Sequence, residues 1–390
     1  MTTTLTGAPP TRDLALALPR APLAAALALV SIGTKKSTLP ILGAVRLAVT
    51  DGWLTFVTTD LEQVVETRLP VVGVPDSAPV ALPAKRLADV VSHLPASAEV
   101  RLATSGLRAT VSAGRARFEL NGLPADEFPT PPPITSVVSA TLPARALLVG
   151  LRRAATHTSH EDSRPTINGV LVEATDDGVR IVGTDGGHLY CARMPDAGTL
   201  RGEWILPRPV ITSITRLFED EETLRLEADD RGARLVGSMS TLSFRLIEGP
   251  YPNFRQLLRF ETPHVATVNR AALIAAVKGV AAMSDALRLE ANVSAGELAL
   301  SIDHEDAGRA EDVVPCQFAS AGERFRFAVN RELLVASLEV TTGTDVVLQL
   351  SAPERAFFIR DAAAPTGETC ALVMPLRLEM PAQKPARKAS

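Results

Sequence analysis

Residues 18–30 read LPRAPLAAALALV, and the same phrase returns as LPARALLVGLRRAA at 142–155 and as VNRAALIAAVKGV at 268–280. In each copy, an apolar residue, a proline or asparagine and then a basic residue precede a run with apolar positions at helical spacing. Proline and asparagine are favoured where helices begin. The phrase therefore predicts three helices that start in the same way, 124 and 126 residues apart.

A second phrase has the same period. LPAKRLADVV begins at Leu82, LPRPVITSI at Leu206 and VNRELLVASL at Val329, so its copies lie 124 and 123 residues apart. Two independent phrases with one period indicate a threefold repeat. Units of about 124 residues then fill nearly the whole chain of 390 residues.

Each repeat predicts the same order of elements. A short alternating strand precedes the first helix, alternating runs follow it, and a second helix and further strands complete the unit. In the first two repeats the alternating runs flank an Asp-Gly turn, whereas the third repeat is degenerate and shorter between its helices. Two helices with antiparallel strands predict an α+β fold. The predicted helices span 20–32, 84–93, 144–157, 208–217, 270–283 and 331–340. The predicted units span 1–132, 133–258 and 259–378, followed by a disordered tail at 379–390.

Charge is segregated onto the predicted helices. The chain has 40 basic and 44 acidic residues, yet the six helix windows hold eleven basic and three acidic ones. If the helices share a surface, that surface is positive and attracts a polyanion, although the protein as a whole is acidic. Aromatic residues do not interleave with these charges, which favours contacts to a nucleic-acid backbone over base stacking.

Composition excludes several other classes. The three cysteines have no C-x-x-C spacing, which argues against zinc and favours free thiols in a reducing cytoplasm. The uncharged run 21–34 is shorter than the roughly 20 residues of a membrane-spanning helix. It could instead be the apolar core of a signal peptide, but Asp13 lies just before it and the repeat assigns it to a helix.

One cluster could support metal chemistry. His157 and His160, with Glu161 and Asp162, could hold a divalent ion and make the protein a metal-dependent hydrolase. The alternative is a solvated polar loop at a helix exit, which the absence of the cluster from the other repeats favours. The chain has no P-loop, G-x-G-x-x-G or H-E-x-x-H motif, so we expect no catalytic residue, metal or cofactor.

The assembled motifs resemble the bacterial DNA polymerase III β subunit, the DNA sliding clamp. The resemblance covers about residues 14–378 and rests on eight phrases taken together. They are TLPILG (38–43), LPAKR (82–86), LPADEFP (123–129), ING (167–169), TDG (184–186), LPR (206–208), YP (251–252) and VMPLRL (373–378).

The resemblance implies a non-catalytic processivity factor. Two chains would close head to tail into a ring of six units around duplex DNA, with helices lining the hole. The implied partners are DNA of any sequence, a second copy, the polymerase III α subunit, the clamp loader and other proteins with clamp-binding motifs. The implied location is the cytoplasm, at the nucleoid. A divergent clamp paralogue with specialised partners and a monomeric three-unit scaffold remain alternatives.

The resemblance also implies three groups of site residues. A pocket for partner peptides would contain Ile167, Thr184, Gly186, His188, Leu189, Pro252, Leu257, Val373, Met374, Pro375, Leu376 and Arg377. Residues expected to face DNA are Lys35, Lys36, Arg86, Arg152, Arg153, Arg164, Arg208, Arg216 and Lys278. The dimer contact would pair Phe118 of one chain with Ala282 and Met283 of the other.

The chain departs from the family's pattern around the pocket. The family sequence Thr-Asp-Gly-His-Arg-Leu is Thr-Asp-Gly-Gly-His-Leu at 184–189, and a family arginine is replaced by Gln256. At a position where an aromatic residue usually edges the pocket, this chain is expected to have Arg331. These changes predict altered partner selectivity.

Overall fold

The structure, a computed structural model, describes residues 12–35, 37–130, 134, 138–161, 163–194, 200–283, 287–294, 296–304, 308–320, 324–364 and 369–377. The described residues fall into two compact bodies. The first body takes its residues from 1–149 and 197–247, and the second from 150–196 and 248–390. The second predicted repeat therefore contributes to both bodies.

The helices begin where the two repeated phrases predict. The described residues contain the α-helices α1 (Arg20–Val30), α2 (Ala84–His93), α3 (Ala144–Ala155), α4 (Arg208–Leu217), α5 (Arg270–Ala281) and α6 (Arg331–Glu339). All six starts agree with the predicted windows, which extend one or two residues too far at the ends of α1, α3, α5 and α6. The ends are harder to predict because no glycine or proline marks them.

Strands alternate with these helices in the predicted order. In the described residues they are β1 (Ala15–Pro19), β2 (Ala44–Thr50), β3 (Trp53–Thr59), β4 (Gln63–Pro70), β5 (Val80–Pro83), β6 (Glu99–Ser105), β7 (Arg108–Ala113), β8 (Ala116–Asn121), β9 (Val138–Pro143), β10 (Gly169–Thr175), β11 (Gly178–Thr184), β12 (His188–Met194), β13 (Gly202–Pro207), β14 (Thr223–Ala228), β15 (Gly232–Val236), β16 (Ser240–Arg245), β17 (His264–Asn269), β18 (Arg288–Ser294), β19 (Glu297–His304), β20 (Gly308–Ala319), β21 (Arg324–Asn330), β22 (Asp345–Leu350), β23 (Phe357–Asp361), β24 (Cys370–Val373) and β25 (Pro375–Leu376).

The residue before each helix explains the recurrence of proline and asparagine. Pro19 enters α1 with a φ of −58°, a value that the proline ring fixes and that suits helix entry. Asn269 accepts a hydrogen bond from the Ala272 amide (3.0 Å), and Asn330 accepts one from the Glu332 amide (2.9 Å). The asparagines therefore satisfy amides that a helix start leaves unpaired.

The basic residue of the phrase ties two helices together. Arg20 at the start of α1 donates to the carbonyls of Val91 (3.1 Å) and Ser92 (2.7 Å) at the end of α2. In the second body, Arg270 donates from α5 to the Thr341 carbonyl (2.9 Å), and Arg331 donates from α6 to the Ala281 carbonyl (2.9 Å). These three arginines satisfy carbonyls at helix ends. They have a structural role at these helix ends, and none of the three was among the residues expected to face DNA.

The first body contains two antiparallel sheets. One has the order β1-β6-β7-β8, and the other has the order β5-β2-β3-β4-β16-β15-β14-β9. Helix α1 packs on β3, β4 and α2 and buries Leu23, Leu27 and Val30. The helix pair therefore covers the apolar face of the larger sheet.

The second body contains one long antiparallel series of strands. Its order is β10-β11-β12-β24-β23-β22-β17-β20-β19-β18-β21-β25. Helix α5 packs on β19, β20 and α6, and α6 packs on β12, β21 and β24. The described residues have no helix that is long and apolar enough to cross a membrane; the uncharged run 21–34 forms α1 and a short 3-10 turn at Ser31–Gly33.

The repeats join through one kind of strand pair, which we call a seam. In the first body β4 pairs with β16, and in the second body β12 pairs with β24. Each time, the third strand after the first helix of one repeat pairs with a strand near the end of the next repeat. That strand is β16, the last of the second repeat, or β24, the next to last of the third. At the β4–β16 seam the buried hydroxyls of Thr67 and Ser240 lie 2.9 Å apart. At the β12–β24 seam Cys191 lies opposite Cys370. Burial raises the pKa of both thiols.

Candidate functional site

An apolar cavity of about 260 Å³ lies in the second body, beside the β12–β24 seam. One side of the cavity is formed by the turn after β11 and the start of β12. The other walls come from a 3-10 turn at Pro165–Asn168 with the residue before it, from the end of β24, and from the segment 252–257. The cavity is lined by Arg164, Ile167, Thr184, Gly186, His188, Leu189, Pro252, Asn253, Phe254, Leu257, Leu372 and Met374. A mostly apolar cleft with a few polar groups at its edge can accept a peptide or a small molecule.

The tight turn after β11 forms the polar edge of the cavity. Asp185 accepts hydrogen bonds from the amides of Gly187 (2.7 Å) and His188 (2.9 Å), and its carboxylate lies 2.8 Å from His188 Nδ1. Gly186 has a φ of +93°, a conformation that favours glycine. Burial alone would raise the pKa of Asp185, but the His188 ring and the turn amides hold that pKa at about 2. The carboxylate is a turn-forming group, and its counterpart Asp60 accepts a hydrogen bond from the Gln63 amide (2.8 Å).

His157 lies directly behind this turn. It is fully buried, and its ring stacks on that of His188 with centroids 4.2 Å apart. Its Nδ1 is 3.2 Å from the Arg153 carbonyl, and its Nε2 is 3.4 Å from the hydroxyl of Ser337 on α6. Burial, with a smaller contribution from His188, lowers the pKa of His157 to about 3, so the ring is neutral at ordinary pH.

The predicted solvated loop is therefore wrong for His157. His160 and Glu161 are exposed, and Asp162 lies outside the described residues. Within those residues, no group of three or more histidine, cysteine or carboxylate side chains is placed to hold a metal ion. The hydrolase hypothesis thus lacks an assembled site in the described part of the chain.

The cavity brings together most of the predicted pocket, but not all of it. Val373, the last residue of β24, is fully buried, and its neighbours Leu372 and Met374 line the cavity. Pro375 and Leu376 pair with β21, and the carbonyl of Arg377 accepts a hydrogen bond from Arg288 (2.6 Å). These four residues, Val373 and 375–377, do not line the cavity, because side chains alternate along a strand and the chain then turns away.

Three lining residues were not predicted: Asn253, Phe254 and Leu372. Two signals in the sequence could have found them. Leu372 lies two positions before the predicted Met374, a spacing that puts two side chains on the same side of an extended chain. Asn253 and Phe254 directly follow Pro252, which was predicted.

Two charged residues of the sequence analysis line cavities. Arg164, expected to face DNA, lines the cavity described above, and its guanidinium lies 3.7 Å from the Glu161 carboxylate. Arg331, expected at the pocket edge, lines a second cavity of about 290 Å³ between α5 and α6, together with Lys278 and Glu339.

The other predicted DNA-facing residues lie on or beside helices. Lys35, Arg86, Arg152, Arg216 and Lys278 are exposed, Arg153 and Arg208 are partly buried, and Lys36 lies outside the described residues. Lys278 pairs with Glu339 at 2.9 Å. The helices α3 and α4 together carry five arginines and no acidic residue.

The predicted dimer-contact residues are accessible. The side chain of Phe118 on β8 is 37 % exposed and that of Met283 is 51 % exposed. Ala282 beside Met283 is also exposed. Neither body buries them.

Comparison with known proteins divides the chain into three matching segments. Residues 14–132 match the N-terminal domain of the DNA polymerase III beta subunit, residues 141–253 match its central domain, and residues 255–377 match its C-terminal domain. The chain belongs to the DNA polymerase III beta subunit family. Its fold is accordingly three clamp domains of about 120 residues each, and proteins of this family are non-catalytic processivity factors.

Individual members of the family are distant relatives in sequence. The beta sliding clamp of Synechococcus elongatus is 30 % identical over 324 residues, which cover 80 % of this chain and 86 % of the relative. The beta sliding clamp of Escherichia coli K12 is 28 % identical over 349 residues, which cover 88 % of this chain and 94 % of the relative.

Solved clamps have the same fold. The DNA polymerase III subunit beta of Pseudomonas aeruginosa superposes with a TM-score of 0.88 at 24 % identity, covering 94 % of this chain and 100 % of that one. The sliding clamp of Caulobacter crescentus gives 0.84 at 27 % identity, with the same coverage. The family therefore retains its fold here although three of every four residues differ.

Proposed function

We propose that this protein is a DNA sliding clamp that closes as a head-to-tail homodimer around duplex DNA and holds the replicative polymerase there. The observation that carries the proposal is the recurrence of one seam. Two such seams already join the three repeats. In the described residues, the third strand after α5, which is β20, and the last strand of the first repeat, which is β8, have no such partner.

These remaining strands are suited to join two copies. In the described residues, β8 pairs along its length only with β7, and residues 308–315 of β20 pair only with β19. Exposed Phe118 lies on β8 and exposed Val313 on β20. A second copy that supplies the missing strand would form a third seam and remove both open edges.

The helices supply the contact with DNA in this proposal. Basic side chains on α3, α4 and the neighbouring helices would meet phosphates, without reading base sequence. Because the ring links topologically to its duplex, the contacts can be weak enough to allow sliding. The role would place the protein in the cytoplasm, at the nucleoid.

The cavity is the proposed docking site for partners. Its apolar floor suits the hydrophobic side chains of a short peptide, and the Arg164 guanidinium at its edge suits an acidic group. The proposed occupants are segments of the polymerase III α subunit, of the clamp loader and of other clamp-binding proteins. A sliding clamp of Pseudomonas aeruginosa, 25 % identical to this chain, has been solved with griselimycin bound, and we expect griselimycin to compete for this cavity.

The test is retention on circular DNA. The protein is loaded by a clamp loader onto nicked circular plasmid, the salt concentration is raised, and the plasmid is then cut with a restriction enzyme. Retention on the circle and loss after cutting support topological linkage. Equal, salt-dependent loss before and after cutting contradicts it and would favour the open monomeric scaffold. A paralogue with specialised partners would be retained on the circle but would not bind α-subunit peptides.

A further inference from the structure

Glu173 is an unusual residue for a protein without catalysis. It lies on β10, on the sheet beneath the cavity, and its carboxylate is fully buried. Removing a carboxylate from water is costly unless cations and hydrogen-bond donors surround it. Here Arg180 donates to Oε2 at 3.4 Å, and Arg255 forms an ion pair with Oε1.

The two arginines come from different places. Arg180 lies opposite Glu173 on the neighbouring strand β11 and also pairs with Asp177 at 3.5 Å, so this contact stays within the sheet. Arg255 begins the 3-10 turn Arg255–Leu258. That turn belongs to the segment 252–257, which forms one wall of the cavity.

In the described residues, further contacts involve the wall and the residue just before it. Phe254 is buried, and the Arg255 guanidinium lies over its ring, 5.2 Å from the centroid. The Leu257 amide donates to the Phe254 carbonyl at 2.9 Å, within the wall itself. The Tyr251 hydroxyl just before the wall donates to the Val182 carbonyl at 3.3 Å. Arg255 therefore provides the charged link between the wall and β10.

We propose that Glu173, which does not line the cavity, positions the Phe254–Leu257 wall through Arg255 and so determines how tightly the cavity binds a partner peptide. The proposal rests on the peptide-docking role proposed above. A wall fixed in its binding conformation loses less conformational entropy when the peptide binds. Releasing Arg255 would let Phe254 and Leu257 adopt other positions, and affinity would fall.

The experiment compares Arg255→Gln with Arg180→Gln in the full-length protein. Both variants remove one arginine from the same carboxylate, but only Arg255 belongs to the wall. The probe is a fluorescein-labelled clamp-binding peptide of a polymerase III α subunit, measured by fluorescence anisotropy. We expect Arg255→Gln to weaken binding about tenfold, since two wall side chains must be re-ordered, and Arg180→Gln to change it less than twofold. Glu173→Gln should match Arg255→Gln, and the double variant Glu173→Gln/Arg255→Gln should be no weaker than either single one.

Amide hydrogen exchange of residues 253–258 gives a readout that needs no peptide. Arg255→Gln should speed exchange of the Leu257 amide, whereas Arg180→Gln should not. Unchanged exchange and affinity in Arg255→Gln, or equal losses of affinity in both arginine variants, would overturn the proposal. If the unmodified protein fails to bind the peptide, the docking role fails, while the exchange comparison still decides whether Arg255 positions the wall. Should Glu173→Gln not fold, the two arginine variants decide.

Discussion

At the scale of single residues, the turn after β11 shows what sequence can and cannot predict. Thr-Asp occurs at 59–60 and again at 184–185, and a repeated aspartate at the end of a strand predicts a carboxylate that accepts turn amides. The hydrogen bonds of Asp60 and Asp185 confirm that prediction. The burial of His157 was not predicted. It depends on His188 and on Ser337, a residue 180 positions away in the chain, and such packing leaves no local signal.

The buried His157 should make stability depend on pH. Its pKa is about 3 in the folded protein and about 6.5 when unfolded, so the unfolded chain takes up the proton first. The free energy of unfolding should fall with decreasing pH below about 6.5, by up to about 1.4 kcal/mol per pH unit from this group. Urea unfolding at pH 7.5 and pH 5 would measure the difference.

The variant His157→Gln should reduce that difference, because glutamine does not titrate. The exposed His93 offers a matched control, and His93→Gln should leave it unchanged. An identical pH dependence in His157→Gln and the unmodified protein would contradict the assignment.

At the scale of elements, the sequence predicted where the helices begin better than it predicted which of their basic residues face solvent. The repeated phrases gave all six helix starts, because proline, asparagine and the first basic residue each have a local role there. The pattern could not separate basic residues that bind carbonyls of a neighbouring helix from those that face solvent. Arg20, Arg270 and Arg331 belong to the first kind, while exposed Arg152 belongs to the second.

This distinction predicts where DNA binding is sensitive to substitution. The double variant Arg152→Ala/Arg153→Ala should bind duplex DNA with a shallower dependence on salt, by up to about two units of the logarithmic slope. Lys278→Ala should change the slope less, because Lys278 already pairs with Glu339. Anisotropy titrations of labelled duplex between 50 and 200 mM salt, roughly the range in which phosphate contacts dominate, would measure both. An unchanged slope in the double variant would place Arg152 and Arg153 away from the duplex.

At the scale of the whole molecule, the threefold period predicted three repeated units. The seams are the strand pairs that join these units. Sequence alone could not reveal which strands join adjacent repeats, because strand pairing over more than 170 residues, as in Thr67 with Ser240, leaves no periodic pattern. The cavity contains eight of the twelve residues that the family resemblance predicted for the partner pocket. The inclusion of Arg164 required the packed structure.

The proposed third seam predicts a specific loss of assembly. Phe118→Asp should place a charge at the exposed edge of β8 without disturbing the core, and should shift the sedimenting mass from twice 41.3 kDa to that of one chain. Val72, which is 98 % exposed on a loop, gives the control Val72→Asp, which should remain dimeric. A Phe118→Asp protein that sediments as a dimer would exclude this edge from the contact.

The two seams inside each chain and the proposed seam between chains use similar strand pairs but differ in connectivity. Partners joined by one polypeptide meet at a high effective concentration, often in the millimolar range, whereas separate chains meet only at their concentration in solution. An intramolecular seam that opens therefore recloses on the same partner, while two chains separate by diffusion once both of the seams between them are open. Dilution should accordingly lower the fraction of closed rings by acting on the seams between chains, and it should leave the seams within each chain unaffected.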